Sequence, residues 1–347
     1  MQISGSRREV GRALGEHARP VLAEYWAQSP TWRALQVWRG HPHVDALARC
    51  AREALPAIWA ELEGLAEGLG QPFDDVFLWH CRGDLLSTTD DGCTTVALRG
   101  ADGTRWIGHN EDGDPWLRGR CSMVEAMPEG APGLVSFCYP GSLPGHAFGM
   151  NRRGLVQTIN NLRLVGLHVG VPRMLLARAV LDCATLEDAV DLLRDVPRAG
   201  AFHHTLGAAG DPRVWSVEVA PSIVSAEEIR APFGHANHAV HVALDAVRQR
   251  ITDSSRARQN RLACLLPDAA AGEAGVRAIL RDAEGAFPIH RNDPADTDGE
   301  NTLATGVFGL GGAEVSLRVF AGGGEPAGFR VAPEPENGSR RRDSTSV

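Results

Sequence analysis

The dipeptide Gly92-Cys93 marks the sharpest change of texture in this 347-residue chain, and that change limits the fold more than any other feature. Upstream, apolar residues recur at helical spacing; downstream, they fall into short β-rich runs. Val10, Leu14, Ala18, Leu22 and Trp26 repeat every four residues and predict an amphipathic helix over 7–26, which Pro20 is expected to kink or split. Helical patterning resumes over 44–69, interrupted near Pro56, and over 73–86, with a turn at 68–72. After Cys93, residues 94–98 read as a strand, Ala101-Asp102-Gly103-Thr104 as a hairpin turn and 105–110 as the returning strand. Strands are expected at 123–126, 134–139, 146–150, 155–159, 204–208 and 214–219, and again near 303–310 and 315–320. Helices are expected from Pro172, after an N-cap at Thr185, and over 255–266 and 272–282. An antiparallel meander is the simplest assembly. Residues 332–347 are polar and expected to be disordered.

Composition removes several kinds of chemistry. There is no lysine, so all 35 basic residues are arginine. Schiff-base catalysis, pyridoxal phosphate attachment, a P-loop and Ser-Lys dyads are therefore excluded; coding bias in a GC-rich genome accounts for the absence, and the exclusion holds whatever the cause. The net charge of -8 argues against nucleic acid as a partner. The longest apolar runs fall well short of a membrane span, and the first residues lack an apolar signal region. A cytoplasmic protein without membrane contact is expected. Seven scattered cysteines with no C-x-x-C pair predict neither a disulfide framework nor a structural zinc site.

Four stretches carry candidate chemistry. The Cys93 sulfur can attack the Gly92 carbonyl to give a thioester that water opens, and glycine tolerates the strained backbone and close approach this needs. Cleavage leaves Cys93 as a new N-terminus, with nucleophile and base on one residue, since an α-amine titrates near about 7.7 to 8.0. A cysteine opening a strand is also, more simply, a small buried hydrophobe. Asp112 ends the strand that pairs with the Cys93 strand, where it either orients the new amine or occupies a solvated turn. Asn237, in Asn237-His238, is suited to donate to an oxyanion. His235, His238 and His241 are spaced by three, which alternates faces on a strand, so no metal is expected there. The arginine-rich run 255–262 binds a substrate carboxylate or phosphate, or is a solvated helix face.

Taken in order, Asp91-Gly92-Cys93-Thr94, Gly108-His109-Asn110-Glu111-Asp112, Gly149-Met150-Asn151-Arg152-Arg153-Gly154-Leu155 and Asn161-Leu162 resemble the acyl-coenzyme A:6-aminopenicillanic acid acyltransferase family. Val171-Pro172-Arg173, Leu176-Ala177-Arg178, Ala236-Asn237-His238 and the Ser255, Arg258, Arg261, Leu262 set extend the likeness over about residues 8 to 330. The resemblance implies an α+β fold of the N-terminal nucleophile (Ntn) hydrolase type, an αββα four-layer sandwich of two antiparallel sheets flanked by helices. It implies Cys93 as nucleophile after cleavage at Gly92, Asp112 positioning its amine, Asn237 and Asn161 at the oxyanion, and Arg258 near the site. In the family's pattern an aromatic follows both Asn-x-Asp and Asn-His, whereas Gly113 and Ala239 stand here, so substrate identity does not carry over.

The expectation is a self-processing cysteine amidohydrolase or acyltransferase that works on carbon–nitrogen amides through an acyl-Cys93 intermediate. Residues 1–92 form a helical segment and 93–330 the catalytic part, the two fragments staying associated. The partners are a small-molecule amide or acyl donor and an amine. No cofactor is required, an acyl-coenzyme A serving at most as a substrate, and a homo-oligomer is compatible with the sequence. A non-catalytic scaffold and a zinc hydrolase using His235 and His238 are the rival readings.

Overall fold

The computed structural model describes residues 1–86, 92–293, 295–296, 298–322 and 325–333. Asp90, Asp91 and the tail from 334 onward, where disorder was expected, lie outside the described residues. Strand β1 (Gln2–Gly5) precedes six helices: α1 (Arg7–Gln28), α2 (Pro30–Leu35), α3 (Pro42–Ala54), α4 (Pro56–Leu69), α5 (Phe73–His80) and α6 (Arg82–Leu85). A capping box starts α1, with Glu9 N bonded to Ser6 Oγ and Ser6 N to the Glu9 carboxylate at 2.9 Å. Contrary to expectation, α1 runs through Pro20 unbroken. Pro20 and Glu16, whose carbonyl loses its bond, both sit on the exposed side, where water takes over.

Tertiary contact also holds α1 together. Gly11 and Gly15 lie against Gly64 and Gly68 of α4 so closely that a Cβ at Gly11 would fall 1.9 Å from Glu61 O, and one at Gly64 2.0 Å from Arg8 O. Only glycine permits that backbone contact.

The remaining elements are β2 (Gly92–Arg99), β3 (Arg105–Gly113), β4 (Ser122–Pro128), β5 (Leu134–Cys138), β6 (Phe148–Asn151), β7 (Leu155–Leu162), α7 (Arg173–Val180), α8 (Leu186–Asp195), β8 (Ala201–Ala208), β9 (Val214–Ala220), β10 (Ile223–Glu228), β11 (Phe233–His235), α9 (Asp253–Leu265), α10 (Glu273–Leu280), β12 (Asn301–Gly311), β13 (Glu314–Phe320) and β14 (Ala327–Val331). They build two sheets rather than one meander. The first runs β1-β4-β5-β6-β7-β8-β9-β10, and the second β11-β2-β3-β12-β13-β14. Pairing is antiparallel except between β1 and β4. Helices α1 and α8 cover the first sheet, α9 and α10 cover the second, and β2 faces β7 between them. This is an α+β sandwich in four layers, αββα.

Central strands in such a stack are buried on both sides, so β2 and β3 do not alternate between apolar and polar residues. Their polar side chains must find partners inside the protein. The helical segment is tied to the rest by charge as well as packing. Arg178 of α7 is fully buried and bonds both Glu61 oxygens at 2.9 Å, and Arg7 joins Glu61 at 3.0 Å. Removing one partner from such a cluster leaves a buried charge uncompensated. No helix among the described residues is long and apolar enough to cross a membrane.

Candidate active site

The β2–β3 register sets Gly92 opposite Asp112, Cys93 opposite Glu111, Thr94 opposite Asn110 and Thr95 opposite His109. Since side chains alternate along a strand, Cys93, Thr95, His109 and Glu111 share the face toward the first sheet, and Thr94, Asn110 and Asp112 face the α9–α10 side.

On its other edge β2 pairs with β11, which ends at His235 opposite Thr95. The Cys93 N–H lies beyond that end, and a side chain takes it instead: Asn237 Oδ1 accepts it at 2.9 Å. Arg258 of α9 reaches the other side of the residue, donating Nη1 to Cys93 O at 2.5 Å and to Thr94 Oγ1 at 3.0 Å, and Nη2 to Asn237 Oδ1 at 2.6 Å. Asn237 N donates to Ser255 Oγ at 2.9 Å, and its Nδ2 to Asn161 O at 3.3 Å. Asn161 Oδ1 accepts from Arg173 Nη1 at 2.5 Å. Arg258 is fully buried, which lowers its pKa against the pull of Asp112 and Glu300. Arg261, one turn on, pairs with Asp282 and Glu284 instead.

Asp112 is buried, not a solvated turn. Its Oδ1 accepts from Thr302 Oγ1 at 2.6 Å, while Oδ2 is buried with no hydrogen-bond partner among the described residues. Burial raises its pKa, and Arg258 is the main opposing charge. The structure thus brings Cys93, Asp112, Asn237, Asn161 and Arg258 to one place. Cys93 also lines a cavity of about 20 Å³ with Arg82, Tyr139, Asn161 and Arg173, room for about one water.

Two acidic residues at the site were not singled out in the sequence. Glu111 Oε2 accepts from Cys93 Sγ at 3.6 Å and lies 3.0 Å from His109 Nε2, and Oε1 accepts from the Tyr139 hydroxyl at 2.7 Å. The hairpin that pointed to Asp112 contained this signal, because counting the pleat puts Glu111 on the thiol's face. Glu300 stands over Gly92, where a Cβ would fall 2.3 Å from its Oε2. Gly92 has no positive φ, so the glycine is required by space and not by backbone strain. Burial pushes Glu300 up to about 7 despite Arg291, Arg163 and Arg258.

The expected aromatic after Asp112 is also accounted for. A Cβ at Gly113 would fall 2.7 Å from the Tyr139 hydroxyl, so Tyr139, just past the end of β5, occupies that space. His235 and His238 do not converge on a common ligand position: His235 bonds Glu218 and Ala236 O, and His238 bonds Ser255. Cys93, His109 and Glu111 hold donor atoms within 4.8 Å of one another, and we describe them as a hydrogen-bonded cluster because each already bonds another member.

Comparison with known proteins gives the family of the chain. A beta-alanyl-dopamine/carcinine hydrolase of Drosophila melanogaster is 26% identical over 344 residues, covering 89% of this chain and 88% of its own. The model of the family described as acyl-coenzyme A:6-aminopenicillanic acid acyl-transferase matches residues 98–321, a span that takes in most strands of both sheets and four of the five converging residues, Asp112, Asn161, Asn237 and Arg258. With more than half its length matched, the chain belongs to the acyl-coenzyme A:6-aminopenicillanic acid acyl-transferase family.

Proposed function

We propose that this protein is a self-processing cysteine enzyme that hydrolyses or transfers acyl groups at carbon–nitrogen amide bonds. The observation that carries the reading is the treatment of Cys93: a buried residue whose N–H and C=O are each held by a side chain, Asn237 and Arg258, with Asp112 across the ladder from Gly92 and one of its carboxylate oxygens without a hydrogen-bond partner among the described residues. In the continuous chain Sγ attacks the Gly92 carbonyl, the peptide C–N bond breaks, and water opens the thioester. Asp112 Oδ2, opposite the bond that breaks, receives the new ammonium group.

In turnover the neutral α-amine of Cys93 takes the thiol proton and the sulfur adds to the substrate carbonyl. Asn237 Nδ2 leaves its long bond to Asn161 O to donate to the oxyanion, together with the Asn161 amide. The α-ammonium then protonates the departing amine, and water or a second amine releases the acyl group from Cys93. An acyl-coenzyme A enters, if at all, as an acyl-donating substrate, and protein groups supply every step. Seven free cysteines suit a reducing compartment such as the cytoplasm, and the Glu61–Arg178 cluster holds the two fragments together.

The relative's name makes β-alanyl-dopamine and carcinine the first amides to assay. Intact mass and N-terminal sequencing of fresh protein test the reading. A cut between Gly92 and Cys93, with activity confined to the cut form, is expected. An active single chain whose activity survives Cys93→Ala would overturn it.

A further inference from the structure

Self-cleavage needs a proton acceptor that turnover does not. After the cut Cys93 has its own amine, but before it the nitrogen is an amide whose hydrogen lies on Asn237 Oδ1 and which has no useful basicity. We infer that Glu111 and His109 form a relay that carries the proton from Cys93 Sγ to Cys93 N during self-cleavage, an inference resting on the cysteine mechanism proposed above.

Hydrogen-bond bookkeeping fixes the protons. Asn160 gives Nδ2 to His235 O at 3.2 Å, so its Oδ1 faces Thr95 and accepts from Thr95 Oγ1 at 2.8 Å. The threonine's one hydrogen is then spent, and its contact with His109 Nδ1 at 2.8 Å requires that Nδ1 be the donor. A neutral His109 therefore turns a bare Nε2 toward Glu111 Oε2 at 3.0 Å, a contact that two acceptors do not make. One proton lies between them. Burial pushes His109 down to about 3, so an imidazolium formed there gives its proton back readily. The same Oε2 accepts from Sγ, and the Tyr139 hydroxyl fixes the other carboxyl oxygen.

The step balances. As Sγ adds to the Gly92 carbonyl carbon, its proton passes to Oε2 while the proton shared between Oε2 and His109 Nε2 is held on Nε2. When the tetrahedral intermediate collapses, the C–N bond breaks, and a proton returns through the Glu111 carboxyl to Cys93 N, which leaves as an amine. Glu111 lies directly across the ladder from Cys93 and bonds its sulfur, so the proton has the width of that one residue to cross to the nitrogen. Glu111 and His109 end as they began, and the net change is an acyl shift from nitrogen to sulfur.

The experiment follows full-length wild type, Glu111→Gln and His109→Gln after cell-free synthesis, reading the Cys93 fragment by mass with and without hydroxylamine, which cleaves the thioester. Both variants should cleave ~100-fold or more slowly, the scale of a lost general base. Hydroxylamine should not rescue them, since the block precedes the thioester. Near-UV circular dichroism checks folding, and if Glu111→Gln does not fold, folded His109→Gln decides. Folded variants that cleave at the wild-type rate, or that hydroxylamine restores, overturn the relay and leave the cysteine mechanism standing. Wild type that never cleaves yet turns over substrate removes the mechanism itself.

Discussion

Glu111 and Asp112 are adjacent carboxylates, and the two faces of the β2–β3 hairpin give them different surroundings. The face toward the first sheet is a chain of groups that share protons: Cys93, Glu111, His109 and Thr95. The face toward α9 and α10 sets two buried carboxyls, Asp112 and Glu300, both raised by burial, among the guanidinium groups of Arg258 and Arg291. The inner face holds the nucleophile, and the outer face holds the backbone beside it. Chemistry is thus sorted by the pleat, since a one-residue step along a strand changes every neighbour a side chain has.

The largest effect should come from the inner face. Cys93→Ala removes the sulfur and any route to a free amine, so it should stay one chain with no measurable turnover. Cys93→Ser keeps a much weaker nucleophile, so its cleavage should slow or stop while the fold persists. Mass spectrometry and assay of the two variants decide the matter, and a Cys93→Ala protein that turns over like wild type would end the assignment.

Next come Asn237, which touches the backbone of Cys93 from outside the hairpin, and Asp112 on the hairpin's outer face. Asn237→Ala should depress turnover by roughly a hundredfold if its amide donates to the oxyanion, with Cys93 still labelled by a thiol reagent. Unchanged steady-state rates would take Asn237 out of the mechanism. Asp112→Asn should have a smaller effect, because the neutral amide still accepts from Thr302 but holds the new ammonium less well. About a tenfold loss in kcat is expected, on the scale of one charge-assisted hydrogen bond becoming neutral. If Asp112→Asn stalls cleavage as severely as Glu111→Gln, the two faces do not divide the work as drawn here.

Much of this arrangement was legible in the sequence, for local reasons. Asp102-Gly103 set the hairpin, and Thr185 with Asp188 gave the start of α8, where both bonds of the capping box are present. The ordered motifs named Cys93, Asp112, Asn161, Asn237 and Arg258, which the fold gathers. What escaped depended on distant contacts. Pro20 reads as a break until α4 is seen against α1. β11 is three residues long and too short to show a period, yet its early end is what gives Cys93 N to a side chain. Glu300 lies far along the chain from Gly92, and nothing near either residue announces their contact. Glu111 is the exception: its place followed from the register already in hand.

The smallest predicted effect tests the contrast through stability, because the two faces respond to pH in opposite directions. His109 is held to about 3 by burial, so between its ordinary 6.5 and about 3 the unfolded chain binds a proton that the folded one refuses. Its contribution is complete above 6.5 and is lost as the pH falls toward 3. Glu300 is raised to about 7 by burial, so from about 4.5 to 7 the folded chain keeps a proton that the unfolded one has released. Its contribution is complete below 4.5 and is lost as the pH rises through 7. Urea midpoints measured from pH 4 to 8 should therefore show His109→Gln flattening the acid limb and Glu300→Gln flattening the decline toward neutrality, each by at most one proton's slope. If Glu300→Gln instead steepens the loss of stability toward pH 7, the outer-face carboxylate is ionised throughout, and the two faces do not answer pH in opposite directions.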